Sequence, residues 1–169
     1  MLKEEVDMFT KILVPLDGSE IAAKVLPRVI ELATAFKSKV TLFHVCYSGV
    51  GPMVGQATPG VMESAEAHEQ KFCSTFLAKS GQDLKSIGID ADWVCQDGDP
   101  AREIIALAQD KGYDLIVMGT HGAGEVVWYM GGVANKVSSH ATVPVLLLRT
   151  VEFKPPLLKE IYSTVPGVG

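Results

Sequence analysis

Apolar segments of strand length alternate with amphipathic segments of helix length along most of this chain. The clearest strand is Val40 to Cys46 (VTLFHVC), a nearly continuous apolar run of the kind found in strands that are buried on both faces of a parallel sheet. Between the first two apolar segments, hydrophobic residues recur at helical spacing from Ile21 to Phe36. This alternation predicts an open parallel sheet covered by helices on both faces.

The complete pattern predicts five strands and four helices in the order β-α-β-α-β-α-β-α-β. The strands are expected at Thr10 to Leu16, Val40 to Cys46, Ile89 to Cys95, Tyr113 to Met118 and Val143 to Leu148. The helices are expected after Ser19, over about Glu63 to Ser86, from Pro100 onward and over Gly132 to His140. The first helix contains Pro27, which removes one backbone hydrogen bond and predicts a kink. The third begins with Asp99 as N-cap and Pro100 at the first helical position.

The chain of 169 residues, 47% of them hydrophobic, suits a single globular domain. We assign residues 1–150 to this α/β domain. Residues 151–169 contain three prolines and do not continue the pattern, so we expect an extended or mobile C-terminal arm. Tyr47 to Val61 is rich in glycine and is predicted to be a long loop, a class that is usually functional or disordered.

The charge balance limits the partners. A formal net charge of −5 argues against nucleic acid or an anionic membrane as a general partner. No run of about 18 apolar residues is present, so the sequence predicts no membrane span. The first seven residues carry four charges and lack the apolar core of a signal peptide, which favours a cytoplasmic location.

The cysteines give no sequence signal of their own. Cys46, Cys73 and Cys95 are scattered, odd in number and without a C-x-x-C motif, so neither a zinc site nor a disulfide is predicted. We expect small buried hydrophobic residues. His44 is expected to be a hydrogen-bonded core histidine. Cys46 follows it on the same face of the strand, where core packing is favoured over a thiol–imidazole pair.

A glycine turn follows the fourth predicted strand and gives the strongest functional signal. Gly119 and Gly122 follow this strand, and Gly132 stands at the start of the last helix. Glycine allows the backbone to approach a ligand closely, and the N–H groups at a helix start attract phosphate. A tight structural loop is the alternative. No G-K-[ST] is present, and Gly122-Ala123-Gly124 only approaches the dinucleotide fingerprint, which disfavours P-loop hydrolases and Rossmann oxidoreductases.

Two polar residues accompany the turn. Asp17 ends the first predicted strand and could accept from ribose hydroxyls, help to hold a divalent metal, or cap the following helix. His121 lies inside the glycine turn and could donate to a phosphate. The sequence shows no nucleophile paired with a base, so no catalytic residue is assigned.

These motifs together resemble those of the universal stress protein family. The resemblance rests on KILVPLDGSE at residues 11–20, LFHV at 42–45, GDPAREII at 98–105, DLIVMGTHG at 114–122, GGVANKV at 131–137 and VPVLLLR at 143–149. It covers about Thr10 to Arg149. The family implies an adenine-nucleotide-binding α/β fold, for which we expect the strand order 3-2-1-4-5.

The resemblance also implies a binding site for ATP or AMP, with Mg²⁺ or Mn²⁺ alongside the phosphates. Adenine and ribose would lie near Pro15, Leu16, Asp17 and the backbone of Val45. The phosphates would meet Met118, Gly119, His121, Gly122, Gly132 and Val133.

One position departs from the nucleotide-binding motif G-x2-G-x9-G-[ST] of that family. Gly119, Gly122 and Gly132 fit its spacing, but Val133 stands where the motif has Ser or Thr. With a one-residue deletion, Gly132 takes the place of the serine instead. The hydroxyl group is missing in both alignments, whereas the backbone N–H groups remain.

Three functions are consistent with these features. The first is a nucleotide-responsive stress module that binds adenine nucleotide and forms a homodimer through the apolar last strand, Val143 to Leu148. The second is a nucleotide-free dimeric scaffold that acts on unknown protein partners, which the missing Ser/Thr favours. The third is a slow ATPase built around Asp17, His121 and a metal ion.

Overall fold

In a computed structural model of the chain, residues 8–46, 67, 70–122 and 130–150 are described. Their five strands form one sheet in which every neighbouring pair is parallel. The strands are β1 (Lys11–Pro15), β2 (Lys39–Cys46), β3 (Ala91–Asp97), β4 (Leu115–Gly119) and β5 (Val145–Leu148). Their spatial order is β3-β2-β1-β4-β5. The predicted α/β class, parallel sheet and strand order are therefore confirmed.

Helices cover both faces of this sheet. They are α1 (Glu20–Ala23), α2 (Leu26–Phe36), a π-helical segment (Phe72–Leu77) that continues into α3 (Ala78–Ser86), α4 (Pro100–Asp110) and α5 (Gly132–His140). Helices α2 and α3 share one apolar core with one face of the sheet, whereas α4 and α5 share a second core with the other face.

Alternation along the strands divides the apolar residues between these two cores. In β1, Ile12 and Val14 face the α2 and α3 side, while Leu13 between them faces α4 and α5. All three are fully buried, as expected for a strand covered on both faces. In β2, Phe43 packs into the α4 and α5 core and is also fully buried.

Pro27 breaks the first helical region in two. The expected kink is wrong, because α1 ends at Ala23 and a new helix begins at Leu26. Pro27 then lies in the first turn of α2, where a missing backbone N–H costs no intrahelical hydrogen bond. The start of α4 is as predicted. Asp99 caps it by accepting a hydrogen bond of 3.1 Å from the N–H of Arg102, and Pro100 follows.

Several predicted segments lie outside the described residues. They are the whole loop at Tyr47 to Val61, the first part of the helix predicted from Glu63, and the arm at residues 151–169. Among the helices of the described residues, none combines the length and the apolar character that a membrane span requires.

Candidate functional site

A cleft opens at the carboxyl edge of the sheet, next to β1 and β4. These strands are neighbours in the centre of the sheet, and the helices that follow them cover opposite faces. Such a reversal of strand order leaves a crevice in which open α/β sheets bind ligands. The cleft has a volume of about 400 Å³. That is within the usual range for small-molecule sites, which is about 300–1,000 Å³.

The structure brings all ten residues of the predicted site together in this cleft. They are Pro15, Leu16, Asp17, Val45, Met118, Gly119, His121, Gly122, Gly132 and Val133. They come from the ends of β1, β2 and β4 and from the start of α5. Their convergence agrees with a common site, while the role of each residue in binding stays a prediction.

Eight further residues line the cleft that sequence reasoning did not assign to the site. They are Ala22, Phe43, His44, Pro100, Ile104, Thr120, Gly131 and Ala134. Of these, Thr120 has a signal in the sequence, because it lies inside the glycine turn. The apolar members come from α1, α4 and α5 and from a core position of β2, and no local motif marks them.

Asp17 both organises the helix start and faces the cleft. Its Oδ1 accepts hydrogen bonds from the backbone N–H of Ser19 at 2.9 Å and from the Ser19 hydroxyl at 2.6 Å. The Ser19 hydroxyl oxygen in turn accepts from the N–H of Ala22 at 3.1 Å, so Ser19 is the N-cap of α1. The carboxylate is thus held in place by the cap while remaining exposed to solvent.

Gly122 packs directly against this carboxylate. A Cβ atom at Gly122 would lie 2.1 Å from Oδ2 of Asp17, a separation that no real side chain could keep. Glycine is therefore required there if the carboxylate is to keep its position. A Cβ at Gly119 would similarly lie 2.7 Å from Cγ2 of Thr150. Gly122 thus lets the turn after β4 approach the turn after β1, and Gly119 lets the end of β4 approach Thr150, which follows β5.

The start of α5 offers backbone N–H groups to the cleft. Gly131 is the N-cap residue, and no side chain in the described part of the chain caps this helix. A Cβ at Gly132 would meet no atom within 4 Å, so the first turn is open on this side. Val133 also lines the cleft, and it is 37% exposed. Unpaired N–H groups at a helix start form a ready anion site.

His121 supplies a polar side chain to the same wall. Its Nδ1 lies 2.8 Å from the hydroxyl oxygen of Thr120, and its backbone carbonyl accepts a hydrogen bond of 3.3 Å from Thr150. The ring Nε2 is buried and has no hydrogen-bond partner among the described residues. A buried polar atom of this kind is uncommon, because most buried polar side-chain atoms are paired with protein groups or ordered water.

The cleft suits a divalent cation only together with a ligand that brings its own oxygen atoms. Asp17 is the one carboxylate among the lining residues. Mg²⁺ is commonly held by one or two carboxylates plus substrate phosphates, so the residues fit a phosphate-bridged ion. They do not form a complete protein cage for a metal.

The expectation for the cysteines is wrong. Cys73, in the π-helical segment, and Cys95, in β3, form a disulfide, and Cys95 is exposed rather than buried. His44, by contrast, is buried and hydrogen-bonded as predicted, with Nδ1 2.8 Å from the carbonyl oxygen of Leu16.

Comparison with known proteins identifies the family. The model of the universal stress protein family matches residues 8–149. Universal stress protein YxiE of Bacillus subtilis is 30% identical over 150 residues, which cover 84% of this chain and 100% of that protein.

Solved structures agree with the fold. Universal stress protein UspA from Lactobacillus plantarum superposes with a TM-score of 0.69 at 20% identity, covering 84% of this chain and 99% of that one. A universal stress protein from Archaeoglobus fulgidus in complex with dAMP superposes with a TM-score of 0.57 at 19% identity, covering 84% of this chain and 99% of that one. With its family model spanning nearly all of the α/β domain, this chain belongs to the universal stress protein family.

Proposed function

We propose that this protein binds an adenine nucleotide in the cleft at the carboxyl edge of the sheet and acts as a nucleotide-responsive module of the stress response. The observation that carries the proposal is the start of α5 in the cleft, which no side chain of the described residues caps. Unpaired N–H groups at a helix start suit phosphate oxygens. His121 lines the same cleft, and its ring Nε2 has no hydrogen-bond partner among the described residues.

The two ends of the cleft favour different parts of a nucleotide. Partly exposed apolar residues at the ends of β1 and β2, Pro15 and Val45, offer a surface for a planar base. Asp17 lies against the glycine turn at Gly122, where its carboxylate can accept from ribose hydroxyls or share a cation with the phosphates. The A. fulgidus structure with dAMP supports an adenine nucleotide as the ligand, since that protein shares this fold.

Direct titration tests this proposal. We expect ATP, ADP or AMP to raise the melting temperature and to give a saturable binding isotherm by calorimetry, with and without Mg²⁺. Stabilisation by a ligand that binds only the folded state grows with the ratio of ligand concentration to Kd. No binding at millimolar nucleotide would overturn the proposal and leave the nucleotide-free scaffold, which the missing motif hydroxyl favours.

Asp17→Asn is expected to weaken nucleotide binding about ten- to hundredfold. The substitution keeps an oxygen acceptor for Ser19 but removes the charge that strengthens a hydrogen bond to ribose, worth about 1.5–3 kcal/mol. Calorimetric Kd values for the two proteins measure the effect.

Asp110→Asn is the matched control for charge. Asp110 is exposed at the last position of α4, away from the helix end that borders the cleft. Equal losses of affinity in both variants would mean that net charge, and not contact with the ligand, controls binding.

We further infer a homodimer through β5. Among the strands that the structure describes, this one is an edge of the sheet, so one side of its backbone faces away from β4. Its four apolar residues, VLLL, are each only half-buried. An exposed apolar edge strand is a liability that pairing with a second copy removes. Sedimentation or light scattering is expected to give twice the chain mass of 18.1 kDa, and a monomer in dilute solution would contradict the inference.

A further inference from the structure

Four side chains that commonly bind soft metal ions meet beside the cleft, on the α3 side of β2 and β3. His44 and Cys46 are two positions apart in β2 and therefore share a face of the sheet. Cys95 is the register partner of His44 in the neighbouring strand. Cys73 reaches the group from the π-helical segment that packs over this end of the sheet. Three separate elements of the fold thus supply one cluster.

The distances within the cluster are those of a small metal site. The sulfur atoms of Cys46 and Cys73 are 3.8 Å apart. A ring nitrogen of His44 and these two sulfurs all lie within 4.8 Å of one another. Zinc–sulfur bonds of about 2.3 Å in a tetrahedral site place neighbouring sulfurs about 3.8 Å apart. The fourth candidate ligand, Cys95, is covalently bonded to Cys73 and so lies next to the same point.

The hydrogen bond of His44 to the backbone determines which ring nitrogen carries the proton. Its Nδ1 lies 2.8 Å from the carbonyl oxygen of Leu16, and a carbonyl can only accept, so Nδ1 carries the proton. In the neutral ring the metal-binding lone pair is then on Nε2. Histidines that ligate zinc usually donate their other ring nitrogen to a backbone carbonyl in this way.

We propose that the chain with its disulfide reduced binds one Zn²⁺ ion through the sulfurs of Cys46, Cys73 and Cys95 and Nε2 of His44. Three thiolates and one imidazole form a standard tetrahedral zinc donor set. The proposal concerns this cluster alone and does not depend on nucleotide binding in the cleft.

The disulfide and the metal site are alternative states of the same sulfurs. A dithiol or phosphine reductant supplies two electrons, and two protons are taken up, which breaks the Cys73–Cys95 bond and gives two thiols. Binding of Zn²⁺ then releases one proton from each of the three thiols, because thiolates are the metal ligands. Reoxidation removes two ligands at once, so the disulfide form does not hold the ion. Exposure of Cys95 gives a reductant access to the bond.

Metal titration of the full chain tests this assignment. The protein is reduced with a phosphine, freed of metal by a chelator, and titrated with Co²⁺ and with Zn²⁺ in competition with a chromophoric chelator, without nucleotide. We expect one ion per chain, the intense visible absorption of tetrahedral cobalt with sulfur-to-metal charge transfer, and loss of both signals on oxidation to the disulfide. No binding by the reduced chain, or equal binding by the oxidised chain, would overturn the proposal.

Single substitutions separate this cluster from adventitious metal binding. Cys95→Ser changes an exposed position and is expected to weaken zinc binding at least about hundredfold, since even residues that only orient a ligand cost about 10–100-fold. Cys46→Ser is expected to do the same. His140→Ala, at an exposed histidine in α5, is the control and should leave affinity unchanged. Wild-type affinity in both cysteine variants would reject the site.

Discussion

Gly132→Asp is expected to abolish adenine-nucleotide binding without lowering stability. Gly132 is the first residue of α5 and lines the cleft. A carboxylate there would occupy the helix start that is proposed to hold the phosphates. Two unit charges of like sign 4 Å apart repel each other by about 4 kcal/mol near a protein surface, about a thousandfold in affinity. Screening by salt reduces this value, and we expect a loss of at least about hundredfold.

The folded chain should tolerate this substitution. Gly132 does not have a positive φ, and a Cβ atom there would meet nothing within 4 Å. An acidic side chain in the first turn of a helix is stabilising by about 0.3–1 kcal/mol, because it complements the positive end of the helix dipole. Thermal unfolding should therefore show an unchanged or slightly higher Tm, which separates loss of ligand from loss of fold.

Gly132→Ser is the matched variant, and it is expected to change nucleotide affinity in the opposite direction. It fits the same open space and supplies the hydroxyl group that the family motif has near this position. One hydrogen bond to a charged phosphate is worth about 1.5–3 kcal/mol, so binding should tighten about ten- to hundredfold. Val133→Ser tests the other alignment of the motif. Whichever serine tightens binding identifies the position that faces the phosphates.

Calorimetry with ATP and AMP measures all of these variants under one salt concentration. If Gly132→Asp binds nucleotide as tightly as the wild type, the α5 start does not hold the phosphates and the proposed orientation of the ligand is wrong. If the wild type binds no nucleotide, gain of binding by a serine variant would still show that the cleft admits one.

The sheet and the position of the cleft could be predicted because they depend on local patterns. The apolar runs of β1, β2 and β4 and the helical spacing between them predict a parallel sheet. In such a sheet the carboxyl ends of all strands meet at one edge. Residues as far apart in the chain as Asp17 and Gly122 were therefore expected at one place, and the structure brings them together.

The cysteine cluster could not be predicted for the opposite reason. Cys46, Cys73 and Cys95 lie in three elements with no motif spacing, and their proximity depends on the register of β2 with β3 and on the packing of the π-helical segment. His44 is paired with Cys95 by the register of the two strands, and sequence periodicity alone does not determine that register. The break of the first helix at Pro27 could not be predicted either, because a proline inside a helical pattern can kink a helix or begin a new one.

Phe43 connects the fold to the cleft and is the largest fully buried side chain among the described residues. Its side chain is fully buried in the core between the sheet and helices α4 and α5, together with Leu13, Ile104 and Met118. It also lines the cleft. Because it lies in the centre of the sheet, on β2 beside β1, the atoms around it cannot collapse easily into a space left by a smaller residue.

Phe43→Ala is therefore expected to lower the free energy of unfolding by about 3–5 kcal/mol. The free energy of unfolding of such domains is about 5–15 kcal/mol, so the variant should still fold but with strongly reduced stability. At about 2–4 °C per kcal/mol, the fall in Tm is about 6–20 °C. Urea unfolding followed by circular dichroism gives the free energy directly.

Ile87→Ala is the control for loss of a large apolar side chain without burial. Ile87 is 59% exposed at the end of α3, and surface substitutions of this kind usually change stability by no more than about 0.5 kcal/mol. If Phe43→Ala costs no more than Ile87→Ala, then Phe43 is not packed as the structure shows it. The residues around Phe43 that line the cleft would then be packed differently, and the structure would no longer support the proposed binding of a planar base.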